Sequence, residues 1–344
     1  MEPATGERAA PMERAGCAGG SRPGMGGASI QRWEGIDAQA ADRIADNSLS
    51  LSAPVVHVGD VERLSLEEVR RAVALALAED TGSGDVTTLA TVPETAQAKA
   101  AVQAREPLVV AGLDLAEAAF RELDPSVQVT RFVADGYRVA EGKPLLAVAG
   151  PARAVLSAER VALNFLQRLC GIATLTAQFV DAVEGTGAQI LDTRKTTPGW
   201  RSLEKYAVAC GGGRNHRLGL FDMVLIKDNH LAALRNELPN AIAAAVQRAR
   251  AKYPDLKAEV EADTLEQVEQ AVAARADIIL LDNMTVVQLR LAVQKCKDRA
   301  QTEASGGVTL AGVRAIAETG VDFISVGALT HSARAVDIGL DFEL

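Results

Sequence analysis

Residues 189–231 read QILDTRKTTPGWRSLEKYAVACGGGRNHRLGLFDMVLIKDNHL, and two short apolar runs inside them decide the fold. Ile190 and Leu191 lead directly into Asp192, Thr193, Arg194, Lys195 and Thr196, after which Pro198 and Gly199 break the chain. That pattern is a strand delivering polar side chains to its C-terminal end. Met223–Ile226 delivers Lys227, Asp228, Asn229 and His230 in the same way, after a glycine-rich turn carrying Arg214, His216 and Arg217. Two strand ends and one loop thus converge on cations in a chain that is acidic overall, with 36 Lys+Arg against 45 Asp+Glu. A local positive field on that background suits a small anionic ligand.

Outward from this stretch, everything after Gly187 alternates strand and helix. The spacing predicts strands over 189–192, 223–227, 258–263, 277–282, 303–306 and 322–327. Helices are predicted over 238–252, 265–274, 286–300 and 310–319. Two of the helices open with capping boxes, Thr264 with Gln267 and Thr285 with Gln288, and the last closes at Gly320. Six βα units imply a barrel or a doubly wound sheet. A barrel is favoured, because every strand candidate ends in a polar residue and a barrel gathers such ends at one mouth. A doubly wound sheet would carry G-x-G-x-x-G after its first strand, and none is present.

Towards the N-terminus, Ser65 and Glu68 form a capping box ahead of Val69, Val73, Ala76 and Leu77 on one helical face. Residues 79–88, EDTGSGDVTT, then read as a loop. It has some likeness to the ribose-phosphate loop of type I phosphoribosyltransferases, but it follows a helix where that loop follows a strand, so a structural turn is expected. Residues 97–150 alternate in short runs divided by Asp-Gly, Glu-Gly and Lys-Pro turns, which predicts a small, mainly β domain. Its DGYRVAEGKPLLAVAG piece looks like half a biotinyl or lipoyl barrel, without the hairpin residues that flank a modified lysine. Residues 157–183 predict a long helix joining the domains, with Arg160 and Arg168 on a shared solvated face. The divisions expected are a disordered extension over 1–58, an N-terminal domain over 59–170, and a barrel over 171–330. The tail 331–344 is expected to return to the N-terminal domain.

Composition narrows the classes. With 344 residues and 48% hydrophobic content the chain can bury a sizeable core. No apolar run approaches the roughly 20 residues of a membrane span. A net charge of -9 and only 3% aromatic residues argue against nucleic acid as a partner. Cys17, Cys170, Cys210 and Cys296 form no C-x-x-C pair, which points to free thiols in a reducing compartment and a cytoplasmic protein. The first 58 residues carry too many acids for a transit peptide and lack the apolar core of a secretory signal.

Several residues could carry chemistry. Glu259, Glu261 and Asp263 alternate, which puts three carboxylates on one strand face, and Asp282 ends the next strand. Glu261 with Asp282 suits a hard divalent ion bridging a diphosphate; equally, these acids could neutralise Lys195, Lys227 and the arginines as ion pairs. Ser305-Gly306-Gly307 and Gly327-Ala328, the latter followed by Thr330 and His331, end two late strands where glycine lets backbone amides approach a phosphate. Gly211-Gly212-Gly213 lacks the Lys-Ser/Thr of a P-loop. His216 and His230 have no second ligand at zinc spacing. Lys227 could form a Schiff base, but with Asp228 beside it a charged lysine holding an anion is favoured.

At these residues the sequence resembles the quinolinate phosphoribosyltransferase family, nicotinate-nucleotide diphosphorylase (carboxylating). The matching stretches are EDTGSGDVTT, ERVALNFLQRLCGIAT, LDTRKTTPGWRSLEKYAVACGGGRNHRLGLFD, LIKDNH, EVEAD, LLDNM, EASGGV and ISVGALTHS, in order over nearly everything after Val58. The resemblance implies an N-terminal open β-sandwich domain followed by an incomplete TIM-like βα barrel. It also implies transfer of a phosphoribosyl group from phosphoribosyl pyrophosphate to quinolinate with decarboxylation, with Mg2+ and in a homodimer that shares its active sites; a hexamer is open. By matching position it implies quinolinate contacts at Thr193, Arg194, His216, Arg217 and Lys227, with Arg160 donated by the neighbouring subunit. Phosphoribosyl pyrophosphate would meet Lys195, Glu261, Asp282, Ser305, Gly306, Gly307, Gly327 and His331, with magnesium at Glu261 and Asp282. Lys195, Lys227, Glu261 and Asp282 would be the catalytic set. The rivals are a relative using another pyridine carboxylate or serving molybdenum transport, a non-catalytic binder of phosphorylated metabolites, and a Schiff-base aldolase.

Overall fold

The structure, a computed structural model, describes residues 63–343; the disorder expected over 1–58 and Cys17 lie outside them. Helix α1 (Leu66–Thr81) starts at Ser65, whose hydroxyl accepts from Glu68 N (3.2 Å) while the Glu68 carboxylate accepts from Ser65 N (3.1 Å). The helix runs through Glu79 and Asp80, where a loop was expected, because the Thr81 hydroxyl turns back onto Leu77 O (2.7 Å). Asp85 then caps α2 (Val86–Thr91), accepting from Thr88 N (3.0 Å) and from the Ser157 hydroxyl (2.9 Å). The EDTGSGDVTT stretch is therefore a helix end, a cap and a tie to a later helix.

Next come β1 (Gln97–Ala104), β2 (Leu108–Val109), α3 (Leu113–Leu123), β3 (Gln128–Arg131), β4 (Arg138–Val139) and β5 (Pro144–Pro151). With the last strand, β12 (Ile338–Phe342), they form an antiparallel sheet in the order β12-β1-β5-β3, and β2 pairs β4 separately. Helix α3 was not expected from the alternating pattern. It buries Leu113, Leu115, Ala116, Ala119 and Phe120, and its start is capped by Asp135, which accepts from Gly112 N (3.0 Å) and Leu113 N (3.2 Å). The Tyr206 hydroxyl donates to the same carboxylate (2.6 Å).

Helix α4 (Ala152–Ala182), at 31 residues, spans ~46 Å and is the spine of the molecule. A Cβ on its Gly171 would lie 2.0 Å from Arg334 O, so only glycine lets the C-terminal segment cross there. Arg168 straps that segment down, donating to Ala333 O (2.6 Å), to Thr330 O and to Glu204 (3.0 Å). Arg160 is exposed as expected, but Arg168 is half-buried and bonded, so the two arginines do not share a solvated face.

The rest of the chain runs β6 (Gln189–Leu191), α5 (Arg201–Cys210), β7 (Val224–Ile226), α6 (Asp228–Ala233), α7 (Ala241–Lys252), β8 (Ala258–Ala262) and α8 (Leu265–Ala273). It continues β9 (Ile278–Asp282), α9 (Val286–Cys296), β10 (Gln301–Ser305), α10 (Val313–Ala317), β11 (Phe323–Ser325) and α11 (Ala328–His331). The six strands form one parallel sheet in the order β6-β11-β10-β9-β8-β7. The first strand pairs with the last, so the sheet curls into a βα barrel left open between β6 and β7. Arg214 lies along the β6 side of that opening: Arg214 N donates to Ile190 O (2.8 Å) and Asp192 N to Arg214 O (3.1 Å). Helix α7 starts at Ala241, three residues later than the spacing predicts, because the Asn240 side chain caps it by accepting from Ala243 N (2.8 Å). Both predicted capping boxes, at Thr264 and Thr285, are formed.

Candidate active site

The parallel register brings the strand C-termini to one mouth: Leu191 lies beside Ser325, and Ser305 beside Asp282. A cavity of about 780 Å³ opens there. Its walls include Thr193, Arg194, Lys195, His216, Arg217, Lys227, Glu261, Asp282, Ser305, Gly306, Gly307, Gly327 and His331. Every substrate and metal contact that the resemblance implies is thus gathered in one place except Arg160, which is exposed on α4 and lines no part of it.

The cationic wall is built by a buried ion pair behind it. Asp192 is fully buried, and its Oδ1 accepts from Lys205 Nζ (2.5 Å) and from His216 N (2.8 Å), while Lys205 Nζ also donates to His216 O (3.0 Å). Both backbone groups of residue 216 are pinned by this pair. Burial pushes the Asp192 carboxyl up to about 6 against the pull of Lys205, and burial lowers Lys205. In front of the pair stand Arg194 and Arg217. Arg194 Nε is buried without a hydrogen-bond partner. Arg217 is lowered by burial and then by the neighbouring charge of Arg194, and it spends one N–H on Met223 O (3.3 Å). Two neighbouring guanidiniums with spare donors have the chemistry that suits planar carboxylates.

Across the cavity the groups are mostly partnered. Lys227 Nζ is paired with Glu261, and Asn283 Nδ2 donates to Asp282 (2.6 Å). Gly306 has φ +94, and a Cβ there would fall 2.2 Å from Asn283 Oδ1, so the turn after β10 requires glycine. The Thr330 hydroxyl holds Lys195 O (2.7 Å). His230 turns away from the mouth and caps α6, its Nδ1 accepting from Lys227 N (2.9 Å). Asp263 lies beyond the end of β8, exposed, so the expected trio of carboxylates on one face reduces to Glu259 and Glu261.

Below Glu261 the floor holds a cluster that the sequence reading did not assemble. His216 Nε2 lies 3.0 Å from Glu259 Oε2 and 3.4 Å from Glu303 Oε2, with both glutamates buried. Burial works against a charged imidazole, but the carboxylates outweigh it and raise His216 to about 10; burial also raises Glu259 to about 7. The cluster thus retains a proton at neutral pH. Because His216 Nδ1 accepts from Arg217 N (2.8 Å), it must keep its lone pair; the imidazole is therefore the neutral Nε2–H tautomer, and any further proton held by the cluster rests on the carboxyl pair. The donor types could hold a metal ion. A metal on Nε2 would require a proton on Nδ1, which would then face the Arg217 N–H, so the geometry disfavours it. Glu303 was legible in principle, since it stands two residues before Ser305 on the same strand and shares its face.

Fold and cavity together define a protein that holds small polyanions at the mouth of an incomplete βα barrel. Comparison with known sequences narrows this. Residues 85–170 match the quinolinate phosphoribosyl transferase N-terminal domain and residues 172–341 its C-terminal domain. The chain is 47% identical over 281 residues to the nicotinate-nucleotide pyrophosphorylase [carboxylating] of Mycobacterium leprae, covering 80% of this chain and 97% of that one. It is 44% identical to the chloroplastic enzyme of that name from Arabidopsis thaliana, covering 80% and 83%. The solved nicotinate-nucleotide pyrophosphorylase of Francisella tularensis superimposes with a TM-score of 0.77 at 38% identity, covering 82% of this chain and 99% of that one. The chain belongs to the quinolinate phosphoribosyltransferase family.

Proposed function

We propose that this chain is a phosphoribosyltransferase of NAD biosynthesis, converting quinolinate and phosphoribosyl pyrophosphate to nicotinate mononucleotide, pyrophosphate and CO2. The observation that carries the reading is the pair Arg194 and Arg217, neighbouring cations with donors unspent in a cavity also lined by Glu261, Asp282 and the Gly306 turn. Quinolinate bears two carboxylates, which the arginines, Thr193 and Lys227 bind. His216 has both ring nitrogens engaged within the protein, so it meets the ligand through its ring edge rather than as a hydrogen-bond donor. The 5'-phosphate of the second substrate takes the backbone around Ser305–Gly307 and Gly327, beside His331.

Glu261 and Asp282 end adjacent strands, both line the cavity, and each carboxylate has lone pairs left beyond its one hydrogen-bond partner, a hard-oxygen set that fits Mg2+. When bound there, magnesium offsets charge on the diphosphate. Lys195 and Lys227 stabilise the leaving pyrophosphate, and the carboxylates stabilise positive charge at the ribose carbon as the pyridine nitrogen attacks it. Once that nitrogen is quaternary, the bond to the neighbouring carboxylate breaks. CO2 leaves, the electron pair stays on the ring carbon under the nitrogen's charge, and a proton takes its place.

Arg160 enters this scheme from a second copy, making the working unit a homodimer with shared sites. In support, α1 and α2, which both pack on α4, expose Leu75, Val86 and Leu89, apolar side chains that a second copy would cover. Among the described residues no helix is long and apolar enough to cross a membrane, and Cys170, Cys210 and Cys296 are free and buried, which fits residence in the reducing cytoplasm. The test is chromatographic: purified protein with magnesium and phosphoribosyl pyrophosphate should consume quinolinate and release nicotinate mononucleotide, with nicotinate inert in parallel. Turnover of nicotinate in place of quinolinate, or of neither, overturns the reading.

A further inference from the structure

Glu259 and Glu303 have no task in that scheme. They sit on β8 and β10, on either side of β9, and are 0% and 1% exposed. Glu259 Oε1 and Glu303 Oε2 have no hydrogen-bond partner, and among the described residues neither glutamate pairs with a lysine or arginine. The Glu259 charge reaches Arg217, but neither glutamate is directly paired with a cation of the wall. Apolar side chains would fill the same floor without the cost of burying carboxylates.

What both carboxylates touch is His216, and His216 is a strut. Its Nε2 is held from below at 3.0 and 3.4 Å, its backbone N and O are pinned by Asp192 and Lys205, and its Nδ1 takes the amide of the next residue, Arg217, at 2.8 Å. The ring is thus fixed at every polar atom, and one of those atoms fixes the chain at the point where Arg217 departs into the cavity. Among the described residues Arg217 has only Met223 O as a hydrogen-bond partner for its guanidinium. It also neighbours Arg194, which pushes it away.

We infer that Glu259 and Glu303 are positioning residues for the anion site: they hold the His216 ring in the one orientation and tautomer that fixes the Arg217 amide, and so set the direction from which Arg217 meets a carboxylate of the substrate. The inference rests on the proposed reading of the cavity as a quinolinate site. It assigns the buried acids to ligand orientation and not to chemistry at the ribose.

The experiment uses the full chain, with wild-type turnover of quinolinate measured first, so that an inactive wild type counts against the proposed function alone. Glu303→Ala should raise KM for quinolinate about tenfold while KM for phosphoribosyl pyrophosphate stays within about twofold. Glu259→Ala should raise KM for quinolinate as well, and Glu259→Gln, whose amide oxygen still accepts from Nε2–H, should recover most of that loss. In an Arg217→Ala background, Glu303→Ala should add little, because both changes remove the same contact. A 15N–1H spectrum of histidine should show the Nε2–H tautomer of His216 in the wild type and its loss of definition in Glu259→Ala. Equal rises in both KM values, additivity with Arg217→Ala, a Gln variant as impaired as the Ala variant, or a stoichiometric metal lost with Glu303 would each overturn the assignment.

Discussion

The two sides of the cavity are prepared in opposite ways. On the carboxylate side three acids already have a protein partner: Lys227 for Glu261, Asn283 for Asp282, His216 for Glu259. On the cationic side Arg194 and Arg217 are neighbours, with an Arg194 nitrogen unpartnered, and neither makes a salt bridge among the described residues. Like charges held together in a partly desolvated wall raise the free energy of the empty protein, and an anion entering between them removes that cost. On the carboxylate side, by contrast, Glu261 and Asp282 are already met within the protein. Substitutions on one side should therefore be read in binding, and substitutions behind or opposite it in placement and stability.

The sharpest break comes from Arg194→Ala. Losing a charged donor to a desolvated carboxylate should cost about 2–5 kcal/mol in quinolinate kcat/KM, with a raised KM and lower turnover. The melting temperature should hold or rise, because a repelled charge is gone; an unchanged quinolinate KM removes Arg194 from the site.

Lys205→Met tests the support behind that wall. It strands Asp192, fully buried, and should cost about 3–5 kcal/mol in denaturant unfolding at neutral pH. The sign with pH follows from the raised Asp192 carboxyl. A folded pKa of about 6, above the ordinary 3.8, means the contribution is fully present below 3.8 and is lost as pH rises through about 6. The deficit should accordingly shrink in mild acid; a deficit that grows there breaks the comparison.

Gly306→Ala probes the opposite side. With φ +94 and Asn283 in the way, the turn must open, and KM for phosphoribosyl pyrophosphate should rise about tenfold while that for quinolinate holds. The smallest effect is expected far from both sides, at Glu106, which accepts from Arg334 and from Asp337 N (2.7 Å). The Arg334 contact holds its carboxyl down at about 2 against 4.5. Glu106→Gln should cost no more than about 1 kcal/mol, in keeping with an exposed pair. That stability is present above 4.5 and lost as pH falls towards about 2, so wild type and variant should converge in acid.

The parallel half of the molecule was legible because each strand is short, apolar and ends in the side chains the mouth needs, and because Thr264 and Thr285 announce their helices. The N-terminal half was less so. Helix α3 escaped because its cap, Asp135, stands 22 residues from the amide it holds, and no local pattern signals a cap at that distance. Arg168 looked like a surface residue since its acceptors are backbone oxygens more than 160 positions away. At the site the ligand-facing residues were legible from strand ends. The supports behind them, Lys205 for Asp192 and Glu259 for His216, were not, because each pairs across elements that only the closed sheet brings together.

The pairing of β12 with β1 also sets an order of assembly. Arg105 and Asp341, which are joined at that edge, stand 236 positions apart, and β1 has β5 on its other side. During synthesis β1, β3 and β5 emerge early, but the outer edge of β1 stays bare until residues 338–342 have left the ribosome, with the whole barrel made in between. A bare strand edge is a template for wrong partners. The nascent chain is most exposed to aggregation in that interval, and the last strand, which touches no substrate, is what ends it.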